Sequence, residues 1–268
     1  MVEKIWQQFP FVLACCKIFS MESRKNLQAT RLGYLLRNNA LAKIFEILLL
    51  FGAALLLINI LKPHAGENLV FNQAIVWIAN IFMLAFVWIG LRFRGQSWAD
   101  FGLRINPLSS KEKLRIFLKS LLVFILAIAG FILGSIVMAN ITGIPEGSDM
   151  SGYAYLQNNI PMLILTLIGV YIVSSFGEEV IYRAFLINRL TELGLDSKVG
   201  QAIVVIVSAL IFGFVHFDWG PMGIAQTAFM GLVLGICYLK LKKNLWILIL
   251  AHAYMDTILM VQMYLASN

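Results

Sequence analysis

The chain has 268 residues, of which 60% are hydrophobic and 13% charged, with a formal net charge of +7. A soluble domain carries about a quarter charged residues, so this composition excludes an ordinary soluble globular protein. A mean hydropathy of +0.83, with apolar runs near the ~20 residues a helix needs to cross a bilayer, points to an all-α polytopic membrane protein rather than a barrel, whose strands would alternate.

Residues 1–40 are basic and mixed in character and read as a segment lying on the membrane surface. Met21, followed by Arg24, Lys25, Arg31 and Arg37, would also make a sensible start, which would leave residues 1–20 as an appendage. Cys15, Cys16 and Cys237 give neither a disulfide framework nor a metal spacing. Val12-Leu13-Ala14-Cys15 is a poor lipoprotein cleavage site, because only Lys4 precedes it and its apolar core is short.

Residues 41–268 form the helical membrane domain. Length and hydropathy predict seven spans, at about 41–61, 74–91, 117–139, 161–186, 200–217, 221–239 and 245–265. The polar stretch from Arg92 to Arg115, with Trp98, Phe101 and Leu103 among its charges, reads as an amphipathic linker on the surface. No internal repeat is present.

The basic residues set the orientation. Seven lie at or before Lys43, seven between Arg92 and Lys119, three from Arg183 to Lys198 and three from Lys240 to Lys243, leaving Lys62 alone of the 21. With seven spans the other twenty share one face, as the positive-inside rule requires. The N-terminus is expected in the cytoplasm and the C-terminus outside. This accounts for the positive charge without a nucleic-acid partner.

The fourth predicted span carries Phe176-Gly177-Glu178-Glu179-Val180-Ile181-Tyr182-Arg183. Charges are rare inside a bilayer and face a partner or a wet cavity. At i and i+4 of a helix, Glu179 and Arg183 can form a structural ion pair, whereas Glu178 is turned about 100° away and left free. The fifth span ends in Phe212-Gly213-Phe214-Val215-His216, and the seventh holds His252-Ala253-Tyr254-Met255-Asp256. Phe212 is a packing or supporting residue, and His252 with Asp256 is either a mutually satisfied pair or part of a site. If the chain turns at residues 193–198, Glu178 and His216 lie about 22 and 27 Å from that turn at 1.5 Å per residue, so they can meet. His252, nearer the cytoplasmic end of its helix, would put the cluster in the inner half of the membrane.

These three motifs, in this order on successive apolar segments, resemble the CPBP family, which comprises CAAX prenyl proteases of the Rce1 type and bacterial Abi-type bacteriocin-processing and immunity proteins. The resemblance covers about residues 92–265, including Asp100-Phe101-Gly102-Leu103-Arg104, with the motif core at about 161–265. It implies an all-helical intramembrane endopeptidase in which Glu178 and His216 activate water and His252 and Asp256 stand near the substrate carbonyl. Two positions depart from the family pattern: Asp256 stands where many members have Asn, and Ala184 where Gly often follows the arginine.

Read without the family, the residues support the same chemistry: a general base at Glu178, His216 to orient water or share its proton, and His252 to polarise the carbonyl. Glu178, His216, His252 and Asp256 also make a two-histidine, two-carboxylate set that could hold zinc. His-Glu-x-x-His is absent, so the reading leans to a glutamate protease without a cofactor. The expected partners are the bilayer and a membrane-associated peptide, prenylated or of bacteriocin type. The expected location is the plasma membrane in a bacterium or the endoplasmic reticulum in a eukaryote. A non-catalytic immunity or scaffold protein and a proton-coupled transporter are the alternatives; a transporter would usually show repeated halves.

Overall fold

The computed structural model describes residues 28–103, 108–143 and 147–266, and the regular elements among them are all helical. Residues 1–27, which hold most of the expected surface segment with Cys15 and Cys16, lie outside the described residues, as does Arg104. The helices are α1 (Arg31–Asn38), α2 (Ala40–Ala65), α3 (Leu69–Phe93), α4 (Ser110–Thr142), α5 (Ile160–Thr191), α6 (Lys198–Phe214), α7 (Gly220–Lys240) and α8 (Leu245–Leu265). Their ends follow local chemistry. Asn39, Asn68, Ser109, Asn159 and Ser197 each accept a backbone N–H at the start of the helix that follows, which satisfies donors the first turn leaves orphaned. At α4, Glu112 completes a capping box by reaching back to Ser109.

Among the described residues six helical stretches are long and apolar enough to cross a membrane, and they identify a multi-pass membrane protein. The remaining predicted span, the fifth, is α6, whose 17 residues reach about 25 Å. α2 turns only a narrow stripe inward, Glu46, Ile47, Leu50 and Ala54, while Leu48, Leu49, Leu55 and Leu56 are exposed. Exposed leucines on a spanning helix face lipid, where the helix satisfies its own backbone. α4 shows the same pattern with Leu118, Leu122, Ile125 and Ile136 outward. Its inner side carries Gly130 and Gly134, one turn apart, against Phe229 and Ala225 of α7. A Cβ on Gly134 would lie 2.7 Å from the Ala225 carbonyl oxygen, so the absence of side chains there permits the close helix contact.

α5 is the axle of the bundle. From Tyr171 to Ile187 it widens into a π-helix, a form usually met as single turns and often at functional sites. Val180, Ile181, Ala184, Leu186 and Ile187 are fully buried, as befits a helix surrounded by neighbours. α3, α6, α7 and α8 all pack against it.

The linker after α3 departs from its expected place on the surface. Trp98, Phe101 and Leu103 are buried in the main core, and Trp98 meets Phe176, beside the Glu-Glu pair, edge to face at 6.3 Å. Amphipathic composition alone could not distinguish an outer membrane interface from a core seam. Gly102, at φ 86°, makes the tight turn where the linker passes the Lys243 carbonyl.

Nor are all the basic residues solvated. Arg94 and Arg189 are fully buried and share two carboxylates. Arg94 pairs with Glu46 and lies 3.3 Å from Glu192, whereas Arg189 lies 2.7 Å from Glu192 and 3.6 Å from Glu46. Lys43 caps the carbonyl of Glu192 at 2.9 Å. This network joins the start of α2, the end of α3 and the end of α5 below the site.

Candidate active site

The buried π-helical segment supplies Glu178, Glu179 and Arg183. Arg183 and Glu179, nearly inaccessible, lie 3.1 Å apart, and the guanidinium stands 4.2 Å above the Phe212 ring. That stacking supplies a second favourable contact to a cation removed from water. Phe212 also touches Tyr182, His216 and His252 at ring-centre distances of 5.0, 4.9 and 6.3 Å, so it is the apolar hub of the site.

Glu179 does more than hold Arg183. The same oxygen accepts a hydrogen bond from His252 Nδ1 at 2.9 Å. A carboxylate oxygen paired with arginine acts as acceptor, so Nδ1 carries the proton and the ring presents Nε2 to the other groups. Around Nε2 stand Ser174 Oγ at 3.4 Å, Asp256 Oδ1 at 3.7 Å and Glu178 Oε2 at 3.8 Å. The two carboxylate distances exceed hydrogen-bond length. Asp256 is instead tied through Oδ2, which accepts from Ser175 Oγ at 2.6 Å. Glu178 Oε2 is buried without a hydrogen-bond partner among the described residues.

His216 is placed differently from its expected position. α6 ends at Phe214, and His216, in the turn beyond, donates from Nδ1 to the Phe212 carbonyl at 2.7 Å. This caps one of the carbonyls a helix C-terminus leaves free and makes Nε2 the acceptor nitrogen of the neutral ring. His216 forms no hydrogen bond or ion pair with Glu178 among the described residues; the histidine within 4 Å of Glu178 is His252. Its ring is packed between Phe212 and Trp219, 4.8 Å from the latter.

The two histidines stand at different depths. His216 shares its turn with Asp218, which pairs with Lys62 at 3.6 Å, and Lys62 is at the end of α2 opposite Lys43. His252 lies nearer the Leu245 end of α8, beside the basic residues, than the Leu265 end. The chain turns between Thr191 and Lys198, where the spacing predicts it.

The segment before α5 covers this end. Asp149 N–H bonds to the Trp219 carbonyl at 3.1 Å, and Asn158 N–H to that of Tyr264 at 3.2 Å. Ser148 donates to Gln226 of α7. Tyr153 meets Trp219 edge to face at 6.3 Å; its phenol pKa is pushed up by burial and then by the nearby Asp256 and Glu178 carboxylates, so it remains a donor. A cavity of about 220 Å³ adjoins it, lined by Met150, Ser151, Tyr153, Ala154, Gln157 and Met263.

Among the described residues no group of three or more His, Cys, Asp or Glu side chains is arranged to hold a metal ion. In the two-histidine, two-carboxylate set each Nδ1 is held by a protein partner, Phe212 or Glu179, which leaves Nε2 as the open nitrogen of both rings. The reaction is therefore derived from the chain's own side chains.

Ser174, Ser175, Trp219 and Tyr153 were not among the residues the sequence singled out. A signal existed for the serines: they stand four residues before Glu178 and Glu179 on an otherwise apolar helix, where side chains four apart are neighbours.

Residues 160–258 match the family described as type II CAAX prenyl endopeptidase Rce1-like. The matched segment contains Glu178, Glu179, Arg183, His216, His252 and Asp256, and the family implies a CAAX-type protease acting on peptides at the membrane. No curated protein and no solved structure matches the chain.

Proposed function

We propose that the chain is an intramembrane endopeptidase that hydrolyses a peptide bond of a membrane-associated or lipidated peptide with a water activated by Glu178. The observation that carries this reading is the unpartnered Glu178 Oε2, 3.8 Å from a His252 Nε2 whose ring is anchored from behind by Glu179. Two polar groups at that spacing suit a shared water better than direct contact.

In the proposed reaction, water oxygen attacks the scissile carbonyl carbon, forming a C–O bond as Glu178 takes the proton. His252, doubly protonated with Glu179 as counter-charge, donates from Nε2 to the developing oxyanion, and Asp256, as the neutral acid, donates beside it. Glu178 then returns the proton to the amide nitrogen as the C–N bond breaks, leaving an acid and an amine. His216 Nε2, an acceptor, shares the water's proton or orients its lone pair. Glu179 and Arg183 hold the anchor in place. The charge distribution supports a cytoplasmic N-terminus, in the plasma membrane of a bacterium or the endoplasmic reticulum of a eukaryote.

Membranes carrying wild type or Glu178→Gln test this. Mass spectrometry of new peptide termini should find cleavages in wild type that fall by at least the ~10²–10⁴-fold that general base catalysis supplies. Equal cleavage by Glu178→Gln would remove Glu178 from the mechanism. Loss of a proton-coupled flux, with no cleavage in either sample, would make the protein a transporter.

A further inference from the structure

We infer that Ser175 is a positioning residue that decides which atom of residue 256 faces the reaction. The inference rests on the hydrolytic reading above, in which Asp256 stands beside the oxyanion. Ser175 is fully buried and Asp256 nearly so, and their 2.6 Å hydrogen bond joins α5 to α8 across the core of the site. A serine hydroxyl has one hydrogen to give, and this one is committed to Oδ2. Oδ2 is thereby the held atom, and Oδ1, 3.7 Å from His252 Nε2, is the atom turned toward Glu178 and the substrate.

As the neutral acid, Asp256 can carry its proton on either oxygen, so the serine fixes the plane of the group and little else. For an amide the same bond becomes directional. An asparagine at 256 could satisfy Ser175 only with its carbonyl oxygen, because an amide nitrogen has no lone pair to offer, and its NH₂ would then point into the site as an oxyanion donor. Without Ser175 the amide could flip and present its oxygen to the oxyanion, a repulsive contact. Ser175 therefore sets the polarity of position 256, and its value depends on which residue stands there.

The test is a four-member cycle in the full chain, with kcat, KM and thermal midpoint measured for wild type, Ser175→Ala, Asp256→Asn and Ser175→Ala/Asp256→Asn. Asp256→Asn should stay within about tenfold of wild-type kcat, and Ser175→Ala should cost up to about tenfold, the net worth of an ordinary hydrogen bond. The double variant should fall at least tenfold below the product of the single effects, in kcat rather than KM, because the two positions are coupled. Ser175→Thr in the Asp256→Asn background, which keeps the hydroxyl, should restore activity. Multiplicative effects, or a double variant equal to Asp256→Asn, would overturn the inference while leaving hydrolysis intact. A wild type that cleaves nothing, or Glu178→Gln at full activity, would instead overturn the reading beneath it. If Ser175→Ala fails to fold, Ser175→Cys, a weaker donor of similar size, takes its place in the cycle.

Discussion

Glu179 holds His252 Nδ1 at 2.9 Å with the same oxygen that lies 3.1 Å from Arg183. One carboxylate therefore orients an imidazole and neutralises a buried guanidinium, and the two roles can be separated. Glu179→Gln keeps the shape but removes the charge behind His252. Turnover per folded molecule should fall about 10- to 100-fold, the worth of a charge-assisted hydrogen bond. Arg183→Gln leaves the His252 contact in place and should chiefly lower the thermal midpoint, since breaking a buried pair costs about 3–5 kcal/mol. Activity normalised to folded protein distinguishes them; equal losses would mean that Glu179 acts on His252 only through Arg183.

The buried network beneath the site makes a stability prediction of a different kind. Arg94 pairs with Glu46 and Glu192 while fully enclosed. Arg94→Ala leaves Glu46 with Arg189 at 3.6 Å as its remaining ion pair among the described residues and should lower detergent stability by up to about 3–5 kcal/mol. Arg94→Leu with Glu46→Leu removes charge from both sides and should cost less than Arg94→Ala alone, since apolar replacement of a buried pair is often neutral. Thermal unfolding in detergent reads this; a double variant less stable than Arg94→Ala would show that the charges contribute more than their desolvation costs.

What the sequence conveyed follows from the reach of local periodicity. Apolar runs revealed the spanning segments, and i, i+4 spacing revealed the Glu179–Arg183 pair, because both depend on neighbours within one helix. Partners distant in the chain were hidden: Arg94 meets Glu46 across 48 positions and Glu192 across 98, and nothing in a basic linker distinguishes a buried arginine from an orienting one. The same limit applied to Trp98 and Phe101, whose burial depends on Phe176 and Arg189. His216 was legible as a polar residue on the inner face but not as a cap, because the stop at Phe214 depends on the turn that follows. The π-helix at Tyr171–Ile187 left no mark in composition.

Activity should survive metal chelation. The proposed reaction takes its base from Glu178 and its oxyanion donor from His252, and no three-ligand group is gathered among the described residues. Incubation of purified protein with a zinc chelator, followed by dialysis and assay, should leave turnover unchanged, with less than one zinc per chain before treatment. Stoichiometric zinc, with activity lost on removal and regained on return, would reassign Glu178 and both histidines as ligands.

The last prediction concerns the side from which water reaches the site. His216 stands in the same turn as Asp218, an exposed residue paired with Lys62, whereas Lys198 opens α6 at the other end, close in sequence to Glu192 and Arg189. If the basic end is cytoplasmic, the His216 end looks outward. In a chain with Cys15, Cys16 and Cys237 replaced by serine, Asp218→Cys should react with a membrane-impermeant maleimide added outside intact cells, and Lys198→Cys only after permeabilisation. Asp218→Cys costs little stability, because an exposed ion pair contributes about 0–1 kcal/mol. The reversed pattern would turn the molecule over and open the His216 end to the cytoplasm. Labelling of both from outside would mean that α6, at 17 residues, does not separate the two faces.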